Sequence, residues 1–176
     1  MNDFIYLDTN GTTPIAEEVQ QVIADTLQHA WGNVSSDSPL GVKARDCVNH
    51  ARIQTAAMIN AHSDDILFLS GGTEANSMVL NTFAHKHMDL KLGEGDEGPN
   101  LPHIITSTIE HPSIKKPLEF IADSGLAEVT YVEVDQTSHA VCVADVMRAV
   151  KPNTVLVSIM LANNETGNIK NGSVWQ

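Results

Sequence analysis

The sequence predicts an α/β fold of three layers, in which helices cover both faces of a mostly parallel sheet. Short apolar runs alternate along the chain with segments of helical periodicity. The last of these runs, TVLVSIML at 154–161, is apolar almost throughout, as expected for a parallel strand covered on both faces. A chain of 176 residues with 42% hydrophobic residues is long enough for one compact domain with a core.

Two helices are predicted before the first strand. Thr13 and Pro14 form a plausible cap followed by a first-turn proline, and two acidic residues then suit the positive end of a helix. Apolar residues recur at helical spacing after this point, so the first helix should end near Trp31. The second helix is expected to begin at Ser38 and Pro39 and to end at the turn AHSDD, residues 61–65.

Four strand-like runs follow, and a helix-like segment separates each from the next. The runs are ILFLS at 66–70, HIITS at 103–107, AEVTYVEV at 127–134 and TVLVSIML at 154–161. The helices between them are expected over 73–87, 112–123 and 143–150. Residues 89–102, DLKLGEGDEGPNLP, are rich in glycine, proline and acids, which indicates a solvated surface insertion.

Composition excludes several classes of partner. The chain has 22 acidic and 10 basic residues and a net charge of −12, which argues against a nucleic-acid or anionic-membrane surface. It has no run of about 18 apolar residues and no leader-like N-terminus, so we expect an unexported, cytoplasmic protein. Cys47 and Cys142 have no metal or disulfide spacing and are expected to be ordinary buried thiols. His85 and His87 do not face each other on a helix, so no metal site is predicted.

The segment LFLSGGTEANSMVL, residues 67–80, runs from the end of a predicted strand into a helix. At such a junction, unpaired backbone N–H groups and the positive end of the helix dipole favour an anion such as phosphate. Gly71 and Gly72 allow close approach of the backbone, and Ser70 and Thr73 add hydroxyl donors. The alternative is a tight turn in which Thr73 is only the helix N-cap. The motif GxxxxGK[ST] is absent, so a P-loop nucleotide site is not predicted.

Polar residues also follow the second and fourth predicted strands, in STIEH at 107–111 and ANNETG at 162–167. Ligands of open α/β sheets bind outside the carboxyl ends of the strands, so we expect these segments to meet at one edge. His111 could stack on a flat ring or shuttle a proton, or could simply cap the helix that begins at Pro112. Asn163, Asn164 and Glu165 need polar partners at a strand end, although a turn-forming role is also open.

Together with YLDTNGTTP at 6–14 and WGNVSS at 31–36, these segments resemble the cysteine desulfurase and selenocysteine lyase branch of the class V aminotransferases. Those proteins are fold-type I enzymes that use pyridoxal 5′-phosphate. The resemblance implies that residues 1–167 are the N-terminal portion of the large domain of this fold, with 89–102 as an insertion and 168–176 as a divergent tail. The insertion, WGNVSS and IMLANNETG are more similar to the selenocysteine lyases.

The resemblance also implies roles for individual residues. Gly72 and Thr73 would bind the phosphate of the cofactor. His111 would stack on the pyridine ring and assist proton transfer as the catalytic residue, and Asn164 would hydrogen-bond the phenolic oxygen of the ring. Asn10 is a weaker candidate on the substrate side, as is Asn33.

The implied reaction removes selenium from selenocysteine, or sulfur from cysteine, and leaves alanine. The family's Schiff-base lysine stands in a serine-glycine-histidine-lysine motif after the NNETG segment, and no lysine of this chain has that context. The sequence also leaves the family pattern at about Ile169. We therefore expect a truncated chain that is inactive alone, from a family of homodimers. The alternative is a non-catalytic fragment that binds a full-length subunit as an interaction or regulatory module.

Overall fold

The structure is a computed structural model that describes residues 5–89 and 101–169, with residues 86–89 described by their backbone only. The chain divides between Phe68 and Leu69 into two compact units, where the sequence predicted one domain. Most of the predicted insertion at 89–102 and of the predicted tail at 168–176 lies outside the described residues. No helix in the described ranges has both the length and the apolar character needed to cross a membrane.

The first unit contains α1 (Glu17–His29), α2 (Pro39–Met58) and a short 3-10 turn (Ser63–Asp65). The predicted start of α2 is confirmed, because the Ser38 hydroxyl accepts a hydrogen bond from the Gly41 N–H at 3.2 Å. The predicted start of α1 is wrong by several residues. The chain stays extended through the cap position, and no side chain caps the helix.

The second unit contains three strands and three helices. They are α3 (Gly72–Asp89), β1 (His103–Ser107), α4 (Pro112–Asp123), β2 (Glu128–Val132), α5 (Val143–Ala149) and β3 (Thr154–Ser158). The strand order is β2-β1-β3, and both pairings are parallel. The helices between successive strands provide the long crossovers that parallel pairing needs. Residues 66–70, predicted as a strand, pair with no strand in the described part of the chain.

Helices pack on both faces of this sheet. Ile104 and Ile105 are adjacent in β1 and therefore point to opposite faces, and both are fully buried. One face is covered from α3 and α4, where the buried cluster contains Leu80, Ala84, Ile104, Leu118, Ile121 and Ala127. The other is covered from α5 and its approach, where the cluster contains Ile105, Val132, Val141 and Val146. The three-layer α/β/α fold predicted from the sequence is confirmed for this unit.

His103 joins the three strands at their amino ends. Its Nδ1 lies 2.8 Å from the Thr154 hydroxyl of β3, and its Nε2 lies 2.7 Å from the Thr130 hydroxyl of β2. Burial lowers the pKa of the ring below its ordinary value, and the positive charge of Lys151 lowers it further. The opposing effect of Glu128 is smaller. This role of His103 could not be predicted from the sequence, because its partners lie 27 and 51 residues away.

The cysteines differ from the prediction. Cys47 and Cys142 are both exposed. Cys47 belongs to α2, whose buried residues are Gly41, Ala44 and Ala56. Cys142 stands at the cap position before α5, whose buried residue is Val146. The prediction that both thiols are buried is therefore wrong, because neither cysteine lies on the packed face of its helix.

Candidate functional site

The loop before α3 has the form that the phosphate prediction requires. The helix begins at Gly72, so Thr73 lies within its first turn and is not the N-cap, which corrects that alternative. The Gly71 carbonyl accepts the first helical hydrogen bond, from the Ala75 N–H at 3.1 Å. Among the described residues, no hydrogen bond uses the N–H of Gly72 or Thr73, as is usual for the first turn of a helix. These two donors are available to an anion.

A carboxylate occupies another donor of the same loop. Glu74 Oε2 accepts from the Ser70 N–H at 2.6 Å. This backbone hydrogen bond lowers the pKa of Glu74, because it stabilises the ionised form of the side chain. The loop therefore already stabilises one negative oxygen, at the end of α3 where the helix dipole favours it.

The two glycines of the loop are not explained by the structure of the chain itself. Among the described residues, the glycines with positive φ are Gly125 and Gly167, so neither Gly71 nor Gly72 needs glycine for its backbone conformation. A Cβ placed on either one would meet no described atom within 4 Å. Packing within the described chain does not need glycine there either. The open space at these positions is what close approach by a ligand requires.

His111 is the cap of α4, at the carboxyl end of β1. Its Nδ1 accepts from the Ser113 N–H at 3.1 Å and lies 2.8 Å from the Ser113 hydroxyl. The capping role that the sequence left open is therefore present. The residue is nevertheless exposed, as stacking on a ligand ring would require.

A hydrogen bond between side chains connects the phosphate loop to His111. Asn76, in the second turn of α3, donates from Nδ2 to the Ser113 hydroxyl at 2.9 Å. Ser113 is 8% exposed and contacts the His111 ring as described above. The helix that starts at Gly72 is thus tied to the helix that starts after His111. Local patterns could not predict this, because the bond joins residues 37 positions apart.

A buried carboxylate connects the carboxyl ends of β1 and β3. Glu110 is 7% exposed, and its Oε1 accepts from the Ser107 hydroxyl at 2.5 Å and from the Met160 N–H at 2.8 Å. Glu110 stands next to His111, and Met160 leads into the NNETG turn. The carboxylate therefore fixes the spacing between the two segments that carry predicted site residues. No local pattern in the sequence predicts this role of Glu110.

The two asparagines of the NNETG segment have different roles. Asn163 is buried and forms the turn, because its Oδ1 accepts from the N–H groups of Glu165 and Thr166 at 2.9 and 2.8 Å. Its Nδ2 also donates to the Ile109 carbonyl at 3.0 Å, which links the turn to the segment between β1 and His111. Asn164 is exposed, and its Nδ2 donates to Glu165 Oε1 at 2.8 Å. The turn thus holds Asn164 at the surface.

The structure therefore joins the loop of Gly72 and Thr73 to His111, and the segment of His111 to that of Asn164, by short hydrogen-bonded connections at one edge of the sheet. Asn10 and Asn33, the weaker candidates, belong to the first unit. In the described ranges, no three histidine, cysteine or acidic side chains are grouped as metal ligands would be.

Comparison with known proteins identifies the family to which the chain belongs. Residues 5–173 match the family Aminotransferase class-V. The chain belongs to the class V aminotransferase family. It is 44% identical to the selenocysteine lyase of Bos taurus over 170 residues, which are 93% of this chain and 39% of that protein. It is 37% identical to the cysteine desulfurase IscS of Dictyoglomus turgidum over 166 residues, which are 94% of this chain and 39% of that protein.

Solved structures of similar proteins have the same fold. A NIFS-like protein superposes with a TM-score of 0.83 at 29% identity, covering 95% of this chain and 43% of that one. SspA in complex with cysteine superposes with a TM-score of 0.81 at 28% identity, covering 94% of this chain and 44% of that one. The three-layer unit is thus part of a fold shared with these proteins, and the chain spans less than half of each relative's length.

The class V enzymes that this chain resembles depend on pyridoxal 5′-phosphate. The residues present fit the three parts of that cofactor. Within the described part of the chain, the first turn of α3 offers unpaired N–H groups and open space beside glycine, which suit a phosphate. The exposed imidazole of His111 suits a flat ring, and the exposed amide of Asn164 suits a ring oxygen.

Proposed function

We propose that residues 1–167 supply part of a pyridoxal 5′-phosphate site in an enzyme that removes selenium from selenocysteine and leaves alanine. Removal of sulfur from cysteine is the related reaction. The higher identity to a selenocysteine lyase, 44% against 37% for a cysteine desulfurase, supports selenium over sulfur. The observation that carries the cofactor assignment is the pair Gly71 and Gly72, which neither backbone conformation nor packing among the described residues explains.

In this proposal each predicted site residue contacts one part of the cofactor. The N–H groups of Gly72 and Thr73 and the Thr73 hydroxyl hold the phosphate. His111 stacks on the pyridine ring and assists proton transfer, and Asn164 donates a hydrogen bond to the phenolic oxygen. When bound, the cofactor supplies an electron sink, and the protein anchors and orients it.

We also propose partners and a location for the protein. Resemblance to the class V family supports a homodimer and a cytoplasmic location. The partner is a small amino acid, selenocysteine or cysteine. The net charge of −12 favours neither a nucleic acid nor an anionic membrane as a partner.

We expect this chain to bind the cofactor but not to turn over substrate. None of its lysines stands in the serine-glycine-histidine-lysine context, so we expect binding of pyridoxal 5′-phosphate without selenide release. The experiment is an absorbance titration with the cofactor, followed by borohydride reduction, intact mass and a selenide assay with selenocysteine. Binding at Gly72 and Thr73 predicts that Thr73→Ala weakens binding, whereas Thr137→Ala, in an exposed turn, does not.

Two outcomes would contradict this proposal. Selenide release at the rate of a full-length relative would show that a lysine of this chain completes the site. Equal binding by the wild type and Thr73→Ala would place the cofactor elsewhere, for example on scattered surface lysines.

A further inference from the structure

We propose that Asn76 and Ser113 hold neutral His111 as the tautomer protonated on Nε2, so that the free ring nitrogen donates a hydrogen bond to an anionic oxygen of its ligand. Both are positioning residues, which act through His111. The inference deepens the proposed function, because the ligand oxygen rests on that proposal, whereas the tautomer itself rests on contacts within the chain.

The protonation state of Nδ1 follows from the Ser113 backbone. The Ser113 N–H lies 3.1 Å from His111 Nδ1 and can only donate. Nδ1 must therefore carry a lone pair. In a neutral imidazole one nitrogen is protonated and the other is not. The proton of neutral His111 is then on Nε2.

Asn76 reinforces the same direction of hydrogen bonding. Its Nδ2 donates to the Ser113 hydroxyl oxygen at 2.9 Å, so the hydroxyl hydrogen remains free to be donated to another acceptor. His111 Nδ1 lies 2.8 Å from that oxygen. Each group thus donates a hydrogen bond to the next, from Asn76 to Ser113 and from Ser113 to His111. Ser113 is buried, so few water molecules compete for these groups.

This arrangement limits what His111 can do. Its Nδ1 is engaged by both polar groups of Ser113. No described residue hydrogen-bonds Nε2, and the ring is exposed. The free nitrogen already carries a proton, so the neutral ring can donate a hydrogen bond there but cannot accept one. It suits an oxygen with negative charge, such as a carboxylate, phosphate or phenolate.

His85 provides an internal reference of the opposite kind. Its Nδ1 lies 2.9 Å from the Asn81 carbonyl, which can only accept. Nδ1 of His85 therefore carries a proton. One chain thus contains two histidines whose neighbours favour opposite tautomers.

The test is nitrogen NMR on the complete 176-residue chain with ¹⁵N-labelled histidine, under conditions where the rings are neutral. Long-range proton–nitrogen correlations distinguish protonated from unprotonated ring nitrogens. We expect an unprotonated Nδ1 and a protonated Nε2 for His111, and a protonated Nδ1 for His85. A protonated Nδ1 on His111, or equal populations of the two tautomers, would overturn the proposal.

Variants test the role of the two positioning residues. Ser113→Ala removes the hydroxyl but keeps the backbone N–H, and Asn76→Ala removes the outer donor. Each should move the His111 Nδ1 resonance towards the averaged position, with the larger shift for Ser113→Ala. Asn81→Ala is the matched control in α3, because it keeps the carbonyl that binds His85, and it should leave His111 unchanged. An unchanged His111 resonance in both test variants, with native amide spectra, would exclude this role.

Addition of pyridoxine 5′-phosphate separates this inference from the proposed function. The compound has the phosphate and the ring oxygen but no aldehyde, so it cannot react with lysines. We expect the His111 Nε2 resonance to shift while Nε2 stays protonated and His85 is unaffected. Absence of any shift would count against the ligand role, whereas the tautomer measured in the free chain would stand or fall independently.

Discussion

The two units of the chain differ in how far they bury their own apolar residues. Helix α1 of the first unit has no buried residue, and its Leu27 is 71% exposed although it lies in a clear helical pattern. In the second unit, Ile104 and Leu118 are completely buried, and the predicted cofactor residues all belong to it. Helical spacing therefore predicted the helices of both units. It did not predict which apolar helix faces are buried, because this depends on packing against the sheet of the second unit.

The largest expected effect comes from leucine truncation in the two units. Leu118→Ala removes buried methyl groups between α4 and the sheet, so it should lower the free energy of unfolding by about 2–5 kcal/mol. Leu27→Ala removes the same groups from an exposed position and should change it by less than about 0.5 kcal/mol. Urea denaturation followed by circular dichroism measures both. Similar losses of unfolding free energy in the two variants would show that α1 is packed in solution. The two units would then not differ in how far they bury their apolar residues.

The carboxylate between β1 and β3 should give the next largest effect. Glu110→Ala leaves the Ser107 hydroxyl and the Met160 N–H without their acceptor in a buried place, so we expect a loss of about 1–3 kcal/mol. Glu119→Ala, which removes an exposed partner of Lys116, should have little effect. Hydrogen exchange gives a local measurement, because the Met160 amide should exchange faster in Glu110→Ala. Unchanged exchange at Met160 would contradict the proposed link between the strand ends.

Strand β1, helix α4 and their contacts illustrate what the sequence could and could not predict. The strand HIITS and the helix 112–123 were predicted with their observed bounds, because a short apolar run, a proline at the helix start and helical periodicity are local signals. The roles of Glu110, Asn76 and His103 were not predicted. Each depends on a partner 27 to 51 residues away, and only the packing of the helices on a sheet of order β2-β1-β3 brings those partners near.

The predicted strand at 66–70 was wrong for a related reason. Its residues are apolar enough for a strand, but a strand also needs a neighbour, and no described residue provides the pairing. The glycine-rich loop that follows it was predicted correctly in position. Its helix starts one residue earlier than expected, which places Thr73 in the first turn.

The buried histidine of the second unit should make stability depend on pH. Folding lowers the pKa of His103, so the unfolded chain binds the proton more tightly than the folded one. The stability from neutral His103 is complete above its ordinary pKa of about 6.5 and is lost as pH falls from there through the folded pKa. The slope for one proton is at most about 1.4 kcal/mol per pH unit.

Urea midpoints between pH 7.5 and pH 5 measure this slope, with His103→Gln and the exposed His139→Gln as the test and control variants. His103→Gln should be less stable at neutral pH but should show a smaller loss on acidification. The proposal about His103 fails if both variants keep the wild-type slope.

The smallest effect on stability is expected at the loop before α3. Gly72→Ala adds a methyl group in open space at a position without positive φ, so stability should stay equal or rise by up to about 1 kcal/mol. The same methyl group should hinder a phosphate and weaken its binding. Gly125→Ala is the contrasting variant, because its φ of +66° disfavours alanine and should reduce stability instead. Reduced stability of Gly72→Ala would mean that the glycine serves the fold.

We propose above all that the first turn of α3 holds the phosphate of a pyridoxal-type cofactor. The most direct test compares two ligands that differ only in the phosphate group. Binding of pyridoxine 5′-phosphate and of pyridoxine to the 176-residue chain can be measured by isothermal titration calorimetry. We expect the phosphorylated compound to bind at least about tenfold more tightly, from charge-assisted hydrogen bonds to backbone N–H groups. Thr73→Ala should reduce that ratio. Equal affinity of the wild type for the two compounds would contradict a phosphate site at Gly72 and Thr73.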